Sequence, residues 1–422
     1  MREQPNSPPE IMPQAVSTIT QVREYELITP LFGGGVKPGE ADAVTVVRAT
    51  EIRGHLRFWW RACRGGRNKS IAEMKKGEDA IWGKAHTKEE DGVAQEQTVQ
   101  IVVEVLKRGN PIKPYRMEGR RAKSYNNIPG YAAFPLQPTE EESRNPNLVI
   151  RDVQENVSFK MTIAFPSEGK DDIEAALWAW ETFGGIGART RRGFGALHLL
   201  RVNGMSNGDI PVASNVKAWI DDKLSTYIVE GGVPNGVPHL QRTSFLHVSR
   251  SFTGPMVAWE RLIRTLYNFR QAGRPSRTVW PEADAIRARN ESKDQRGNAQ
   301  SQVIDKFPKA VLGLPIIYHF INNEPKERTL QGAEAGRERL ASPFILRPLL
   351  CKNNQAVGLA LLLEGPRLPP DGVVLIEKGN KNDKPKSVNV ALTAKEAQRI
   401  DVLNGEPDVL KAFMKYLERT IR

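Results

Sequence analysis

The order of strand and helix patterns between residues 18 and 203 restricts the possible folds of this chain more than any other feature. Apolar residues alternate or run continuously in four short segments, as in β-strands, and recur at spacings of three and four in two longer segments, as in helices. In chain order these are strand 18–29, helix 49–64, strand 98–106, strand 157–165, helix 171–183 and strand 196–202. Because this order is that of a βαββαβ unit, it predicts a ferredoxin-like domain.

The second half of the chain repeats this order less regularly. A strand at 241–251 and a helix at 255–271 are followed by strand patterns at 311–320, 342–351 and 357–363. The 422 residues are therefore predicted to form an α+β protein of tandem ferredoxin-like (RRM-like) βαββαβ domains with long loop insertions. The predicted parts are a flexible N-terminal arm at 1–17, a first domain at 18–203, a linker region at 204–239 and a second, less regular domain at 240–422.

A loop of glycine and arginine, GGIGARTRRGFG at 184–195, joins the second helix of the first domain to its last strand. Glycine lets another molecule approach the bare backbone, and arginine offers a planar fork of donors to phosphate oxygens. A Walker loop would continue with Lys and Ser or Thr, and a dinucleotide fingerprint would open a helix. A glycine cap with a tight turn would explain only the first two glycines. We expect phosphate contacts from Gly184, Gly185, Gly187, Arg189, Arg191, Arg192 and Gly193.

Positive charge is concentrated in three stretches of the chain. The formal net charge is +12, and residues 48–69, 107–123 and 184–195 hold 17 of the 61 Lys and Arg but only 2 of the 49 Asp and Glu. Such clustering indicates a site for a polyanion. Arginine with glycine and aromatic residues favours nucleic acid, whereas a membrane surface would favour a lysine-rich amphipathic helix. No apolar run approaches the roughly 20 residues of a membrane span.

The predicted helix at 49–64 carries a stripe of arginine beside its apolar face. A solvated surface stripe usually mixes charges, because opposite pairs four residues apart stabilise a helix and like pairs do not. Four arginines without an acidic partner favour an anionic ligand over a plain solvated face, so we expect RNA or DNA to contact them. The stripe consists of Arg53, Arg57, Arg61 and Arg64.

A long excursion at 107–156 separates two predicted strands of the first domain. Loops of this length inside a compact domain are usually functional or disordered, and both interpretations stay open. Basic side chains are interleaved with Tyr115 and Tyr125, a pattern typical of backbone neutralisation combined with base stacking. The candidate RNA contacts are Arg116, Arg120, Arg121 and Lys123.

Neither a cofactor nor a metal is indicated by the sequence. Cys63 and Cys351 lie far apart and outside any CxxC motif, which gives no zinc site and fits a reducing cytoplasm. The six histidines lack metal-like spacing. The proline-rich N-terminus lacks the apolar core of a signal peptide. The sequence therefore predicts a cytoplasmic protein without a cofactor.

Five segments of the chain form a specific set. They are ITPLFGGG (28–35), IRGHLRFWWRA (52–62), FGGIGARTRRGFG (183–195), FPKAVLGLPIIYHF (307–320) and RLASPFILRP (339–348). Together they resemble the RAMP superfamily of CRISPR effector proteins, and within it the family of first-numbered subunits of the type III-B, or Cmr, complex. The helix segment and the glycine loop are specific as a pair, whereas either alone would be weak.

The resemblance implies an RNA-binding subunit of an RNA-guided antiviral complex. Such a subunit is expected to contact guide (CRISPR) RNA near its 3′ end and single-stranded target RNA, to assemble with the other type III-B subunits without a membrane, and to be non-catalytic. The family's glycine-rich motif carries over to 184–195, and its arginine-bearing helix to Arg53, Arg57 and Arg61. We expect both to act on the same strand of RNA, in one groove.

The alternative is a metal-independent endoribonuclease that processes CRISPR RNA. His55 is the candidate general base, but a lone histidine is more often a bystander and the sequence shows no second acid or base beside it. Asp42 resembles the loop aspartate of cleaving relatives, yet a solvent-exposed loop acid is the better interpretation. The sequence thus favours a binding protein over a nuclease.

Overall fold

The computed structural model describes most of the chain. The described residues are 17–33, 35, 45–83, 99–145, 147–274, 277–290, 303–320, 325–377, 379 and 384–421. The predicted N-terminal arm, apart from its last residue, and Asp42 lie outside the described residues. The predicted α+β class is confirmed, because helices pack against antiparallel sheets throughout the described ranges.

The first half of the chain contains a ferredoxin-like unit with insertions. Its elements are β1 (Thr18–Leu27), α1 (Ala49–Arg64), α2 (Ile71–Trp82), β2 (Gln100–Lys107), β3 (Asn110–Ile112), β4 (Tyr115–Glu118), β5 (Arg121–Ser124), α3 (Gly130–Ala133), β6 (Val153–Glu155), β7 (Ser158–Pro166), α4 (Lys170–Phe183), β8 (Leu197–Val202) and β9 (Met205–Ser206). The main sheet has the order β2-β7-β1-β8-β9, with every pair antiparallel. Strands β1, β2, β7 and β8 are the first to fourth strands of the βαββαβ unit in chain order. Within the sheet they lie in the order second, third, first, fourth, which is the order expected of such a unit.

Alternation along the strands places the core of this unit under its helices. In β7, Phe159, Met161, Ile163 and Phe165 are buried while the residues between them are partly exposed. The same face of β1 carries Tyr25, whose ring stacks on Phe159 with centroids 5.0 Å apart. Helices α1 and α4 pack on each other over this core. The opposite face of the sheet is left more exposed, as a half-buried antiparallel sheet should be.

The described part of the second half contains three sheets of two to four strands. Its elements are α5 (Val216–Tyr227), β10 (Leu246–Phe252), α6 (Pro255–Arg270), β11 (Gly273–Arg274), β12 (Arg277–Thr278), α7 (Glu282–Asn290), β13 (Ile316–Tyr318), β14 (Arg328–Gly332), β15 (Phe344–Leu350), β16 (Ala356–Leu362), β17 (Val373–Glu377), β18 (Lys386–Ser387), α8 (Ala394–Gln398) and α9 (Val409–Thr420). Strands β10, β16 and β15 form one antiparallel sheet in that order. The first three strands of the first unit have the same order, with the third strand between the first and the second. In the described ranges no strand pairs with the free edge of β10, where the fourth strand of such a unit would lie.

Two parts of the second half differ from the sequence-based prediction. In the predicted strand at 311–320, the first two residues end a 3-10 turn (Pro308–Leu312) and only the short strand β13 is extended in a ladder. Strand β13 belongs to a separate sheet ordered β13-β14-β17-β18. Pro308, Gly313 and Pro315 interrupt the apolar run and prevent a long ladder. The region 204–239 is not an open linker, because α5 lies within it.

The apolar face of α5 connects the two halves of the chain. Val216, Ile220 and Leu224 are buried in the same apolar core as Leu246 of β10 and Leu349 of β15. A core that spans both halves makes large independent motion of the two sheets unfavourable, since separating them would expose this apolar surface.

Candidate nucleic-acid interface

The glycines of the loop at 184–195 are packed against the protein itself. A Cβ at Gly184 would lie 2.7 Å from the indole nitrogen of Trp59. A Cβ at Gly193 would lie 2.5 Å from Nε1 of Trp259. Both distances are far inside van der Waals contact, so only glycine allows these close approaches. The loop is therefore a packed connection between α4 and β8.

The main chain of this loop is also engaged internally. The N–H of Gly187 donates to the Glu51 carboxylate at 2.6 Å, and the N–H of Ala188 donates to the carbonyl of Phe32 at 2.7 Å. The glycines therefore have a packing role that the sequence-based argument did not give them, and their contact with phosphate stays a prediction. The glycines concerned are Gly184, Gly185, Gly187 and Gly193.

Among the described residues, the three arginines of the loop donate hydrogen bonds only to main-chain oxygens. Arg189 Nε donates to Ala132 O at 2.5 Å, Arg191 Nη1 donates to Ser342 O, and Arg192 Nη1 donates to Phe344 O at 3.1 Å. Among the described residues, none of the three forms an ion pair with a carboxylate. Their carbonyl partners fix the guanidinium groups in place without neutralising them.

These arginines line a cavity of about 600 Å³ between the glycine loop and the second half of the chain. We call it the arginine cavity, and its arginines are Arg189, Arg191, Arg192, Arg270 and Arg339. No aspartate or glutamate is among its described lining residues. Five guanidinium groups around one opening without a carboxylate form a strong anion site.

The pKa values in the arginine cavity report this uncompensated charge. Burial, with the neighbouring charges of Arg270 and Arg189, lowers the pKa of Arg192 to about 9. Burial also lowers the pKa values of Arg189 and Arg191 from their usual range. A bound anion would favour the protonated forms and reverse these shifts.

A second cavity, of about 490 Å³, adjoins the first. We call it the aromatic cavity, and it shares Tyr131, Phe134 and Gln271 with the arginine cavity. Phe134 is 57% exposed and Tyr267 is 48% exposed, so two aromatic side chains are available to a ligand. The two cavities together form a groove with charge at one end and aromatic rings at the other.

The excursion at 107–156 builds the aromatic wall of this groove. It is folded into β3 to β6 and α3, so a wholly disordered insertion is wrong for the described residues. Tyr115 donates through its hydroxyl to Gly130 O at 2.6 Å, and Ala132 accepts from Arg189. The excursion is thereby fastened to the glycine loop.

The basic residues of the excursion lie apart from this groove. In the hairpin of β4 and β5, Tyr115 pairs with Ser124 and both line the aromatic cavity, whereas Arg116 pairs with Lys123. Because side chains alternate along strands, Arg116 and Lys123 lie on the opposite face, where Glu118 ion-pairs with both. The structure therefore does not join the four predicted basic residues to the groove. They are Arg116, Arg120, Arg121 and Lys123.

The arginine stripe of α1 has acidic partners, contrary to the sequence-based expectation. Glu78 of α2 contacts Arg57 Nε at 2.6 Å and Arg61 Nη1 at 2.5 Å. Arg64 is buried and contacts Asp172 at 3.0 Å. These acidic residues lie on α2 and α4, so the sequence of α1 alone does not reveal them.

The stripe also does not line the groove. Arg53, Arg57, Arg61 and Arg64 are absent from the walls of both cavities, and Arg53 donates to Trp82 O at 3.0 Å. The idea of one groove shared by helix and loop arginines is therefore not supported. Helix α1 reaches the loop instead through Phe58, whose ring lies 5.6 Å from the guanidinium carbon of Arg191.

His55 has a carboxylate neighbour that the sequence-based argument did not weigh. Its Nε2 lies 3.6 Å from Oε1 of Glu51, the same oxygen that accepts from Gly187. His55 does not line either cavity. Within the described ranges no three His, Cys, Asp or Glu side chains are grouped to hold a metal ion.

Several important residues escaped the sequence-based prediction. Arg270 and Arg339 lie outside the three basic stretches of the sequence, and Tyr131 and Phe134 belong to an apolar stretch, so only folding brings them together. Arg347 could have been noticed, because a lone arginine inside the apolar strand FILRPLL must find partners. It is fully buried and donates to three main-chain oxygens of the first half.

Comparison with known families gives a match over the first half. Residues 24–198 match the RAMP superfamily. Among curated proteins, the CRISPR system Cmr subunit Cmr1-2 of Pyrococcus furiosus is 28% identical over 184 residues, which cover 41% of this chain and 91% of that protein. None of the helices in the described part of the chain is long and apolar enough to cross a bilayer.

Solved structures show more distant likenesses over nearly the whole chain. The apo crystal structure of Cmr1 from Pyrococcus furiosus has a TM-score of 0.46 and 16% identity, covering 91% of this chain and 96% of that chain. A chain of the type III-B Cmr-beta complex bound to cognate target RNA has a TM-score of 0.47 and 12% identity, covering 94% of this chain and 100% of that chain.

Proposed function

We propose that this chain is an RNA-binding subunit of a type III-B CRISPR effector complex. The match of residues 24–198 to the RAMP superfamily supports this proposal. In this role it contacts guide RNA near its 3′ end and single-stranded target RNA, and assembles in the cytoplasm with the other subunits for antiviral defence. The similarity to the curated Cmr subunit over 184 residues supports the assignment to this complex.

The observation that carries the RNA-binding proposal is the arginine cavity. Five arginines line it without a carboxylate among the described lining residues, and burial, together with the charges of Arg270 and Arg189, lowers the pKa of Arg192 to about 9. RNA phosphates supply the missing negative charge. The cavity therefore supports an RNA contact at the junction of the glycine loop with the second half, in preference to the arginine stripe of helix α1.

The aromatic side chains next to this cavity favour single-stranded RNA. Phe134 and Tyr267 are each about half exposed at the groove, and unpaired bases stack on such rings while a duplex keeps its bases inside. The exposed face of the main sheet is a poorer candidate. Its residues on β1, β2 and β7 include no aromatic side chain, unlike the sheet of an RNA-recognition domain.

We propose a non-catalytic role, with an endoribonuclease as the second candidate. The pair of His55 and Glu51 beside the glycine loop is the observation that keeps the second candidate open. A general base must reach the 2′-hydroxyl that it deprotonates, and His55 lines neither cavity of the groove. Cleavage of repeat RNA in EDTA by the purified chain, abolished by His55→Ala, would establish the second candidate instead.

Paired substitution of a half-buried and an exposed arginine, Arg270 and Arg339, tests the RNA site. Arg270 and Arg339 line the arginine cavity and form no ion pair among the described residues, so their removal should not unfold the chain. Arg121 is exposed on β5, was predicted from sequence, and lies outside the groove. It is therefore a matched control that separates the structural site from the sequence-based one.

The double variant Arg270→Ala/Arg339→Ala should lose about tenfold in affinity for single-stranded RNA. The slope of log affinity against log salt should also become shallower by about 0.7 for each phosphate contact removed. Arg121→Ala should stay within about twofold of the unmodified chain, because a single exposed charge off the path contributes little. If Arg121→Ala lost affinity for RNA and the double variant did not, the RNA contact would lie on the excursion and the arginine cavity would be contradicted.

A further inference from the structure

The aromatic cavity differs from its neighbour in charge as well as in shape. Among its described lining residues, only Glu260 and Arg264 of α6 are charged, and they form an ion pair with each other. A phosphate therefore gains little by entering it, since the net charge of its lining is close to zero. The adjoining arginine cavity is the better place for phosphates, so the aromatic cavity is left for an uncharged part of the ligand.

The rings of the aromatic cavity suit a flat, apolar group. Tyr131 and Tyr267 meet edge to face, with ring centroids 5.4 Å apart, and Phe134 completes an exposed ring surface. A volume of about 490 Å³ accommodates a single planar ring system between such walls. A nucleobase presents a π-face of this kind, and it is attached to the backbone whose phosphates the arginines attract.

The polar groups at the edge of the aromatic cavity can read the hydrogen-bonding edge of a base. Gln137, Gln271 and the carboxylate of Glu260 line it. An amide can donate or accept, whereas an ionised carboxylate can only accept. Cytosine, adenine and guanine carry an exocyclic amino group that donates to such an acceptor, and uracil carries none.

We propose that the aromatic cavity is a subsite for one unstacked nucleobase, and that Glu260 makes it favour a base with an exocyclic amino group over uracil. This inference rests on the proposed RNA-binding function, because the neighbouring phosphates must lie in the arginine cavity. It adds a base preference to a surface whose arginine contacts are independent of sequence. Glu260 is thereby a specificity-determining residue, and Tyr267 and Phe134 supply the stacking surface.

The experiment compares short oligocytidine and oligouridine of equal length on the full chain. These two pyrimidine strands are equal in size and charge, so they separate base identity from phosphate attraction. The variant Glu260→Gln keeps the shape of the side chain while its amide can turn to donate to uracil or accept from cytosine. Glu104→Gln is the matched control, because Glu104 is an exposed carboxylate that is also ion-paired, with Lys160, on the main sheet.

Oligocytidine should bind about fivefold or more tightly than oligouridine to the unmodified chain. In Glu260→Gln the ratio should approach one, because the amide can serve either base. The loss of the counter-charge of Arg264 should add an equal gain to both affinities and leave this ratio unchanged. Glu104→Gln should preserve the original ratio. Equal binding of the two oligomers to the unmodified chain, or a ratio that survives Glu260→Gln, would overturn the subsite.

The arginine variants separate this inference from the proposed function. If Arg270→Ala/Arg339→Ala weakens both oligomers but the cytidine preference is absent, RNA binding stands and the base subsite fails. If the arginine variant leaves both oligomers unaffected, the RNA site itself fails. If the subsite is correct, Tyr267→Ala should lower the affinity for oligocytidine, because the stacking surface is lost. This loss should appear both in the otherwise unmodified chain and in Arg270→Ala/Arg339→Ala.

Discussion

The guanidinium of Arg347 donates a hydrogen bond of 2.8 Å to the main-chain oxygen of Gly184, the first residue of the glycine loop. The same side chain donates to Glu181 O and Leu197 O, each at 2.8 Å. One residue of β15 therefore fastens the end of α4, the loop and the start of β8 to the second half of the chain. Burial lowers its pKa to about 9, since no carboxylate accompanies it in the described contacts.

Removal of Arg347 should destabilise the whole protein. Arg347→Met fills similar space but leaves three buried carbonyl oxygens without a donor, so the free energy of unfolding should fall by about 2–4 kcal/mol. Urea unfolding followed by tryptophan fluorescence measures this. Arg201→Met, at an exposed position of β8 that is ion-paired with Glu24, is the control and should change stability little. Equal stability of the two variants would contradict the role of Arg347.

Alanine at position 193 should lower the free energy of unfolding far more than alanine at position 204. Both glycines have positive φ, of 82° and 79°, so alanine carries the same backbone strain at each. At Gly193 the added Cβ would meet Trp259 at 2.5 Å, whereas at Gly204 nothing lies within 4 Å. Gly193→Ala should therefore cost about 2 kcal/mol or more beyond the roughly 1 kcal/mol expected of Gly204→Ala. Similar melting temperatures for the two variants would show that the loop is not tightly packed.

The affinity for RNA should depend on pH through Arg192. Its pKa is lowered to about 9 in the free protein, and a bound phosphate raises it again, so binding takes up a proton above that pH. The affinity for RNA should therefore fall as the pH rises from roughly 8 to 10. Below roughly pH 8, Arg192 is protonated in both states and should not affect the affinity.

This pH effect is best measured with RNA made only of adenosine and cytidine, whose bases do not titrate in that range. Arg192→Met removes the titrating group, so its affinity should start lower and decline less over the same interval. Melting curves of the variant show whether the packing at the loop is retained. An equally steep decline in the variant would assign the pH dependence to other groups.

The sequence alone was sufficient for the layout of the first half. Alternation in β7 and the apolar spacing of α1 and α4 reflect burial on one face, which is a local property of each segment. The segments could therefore be placed in βαββαβ order, and the concentration of charge indicated a polyanion.

The location of the proposed binding surface depends on tertiary structure alone. The loop arginines Arg189, Arg191 and Arg192 were found in the sequence, but their partners Arg270 and Arg339 and the ring of Phe134 come from distant segments. Glu78 likewise pairs with Arg57 and Arg61 of α1 from 21 and 17 residues away. Charge balance and cavity walls depend on which segments meet in space, and the identity of neighbouring residues along the chain does not determine them.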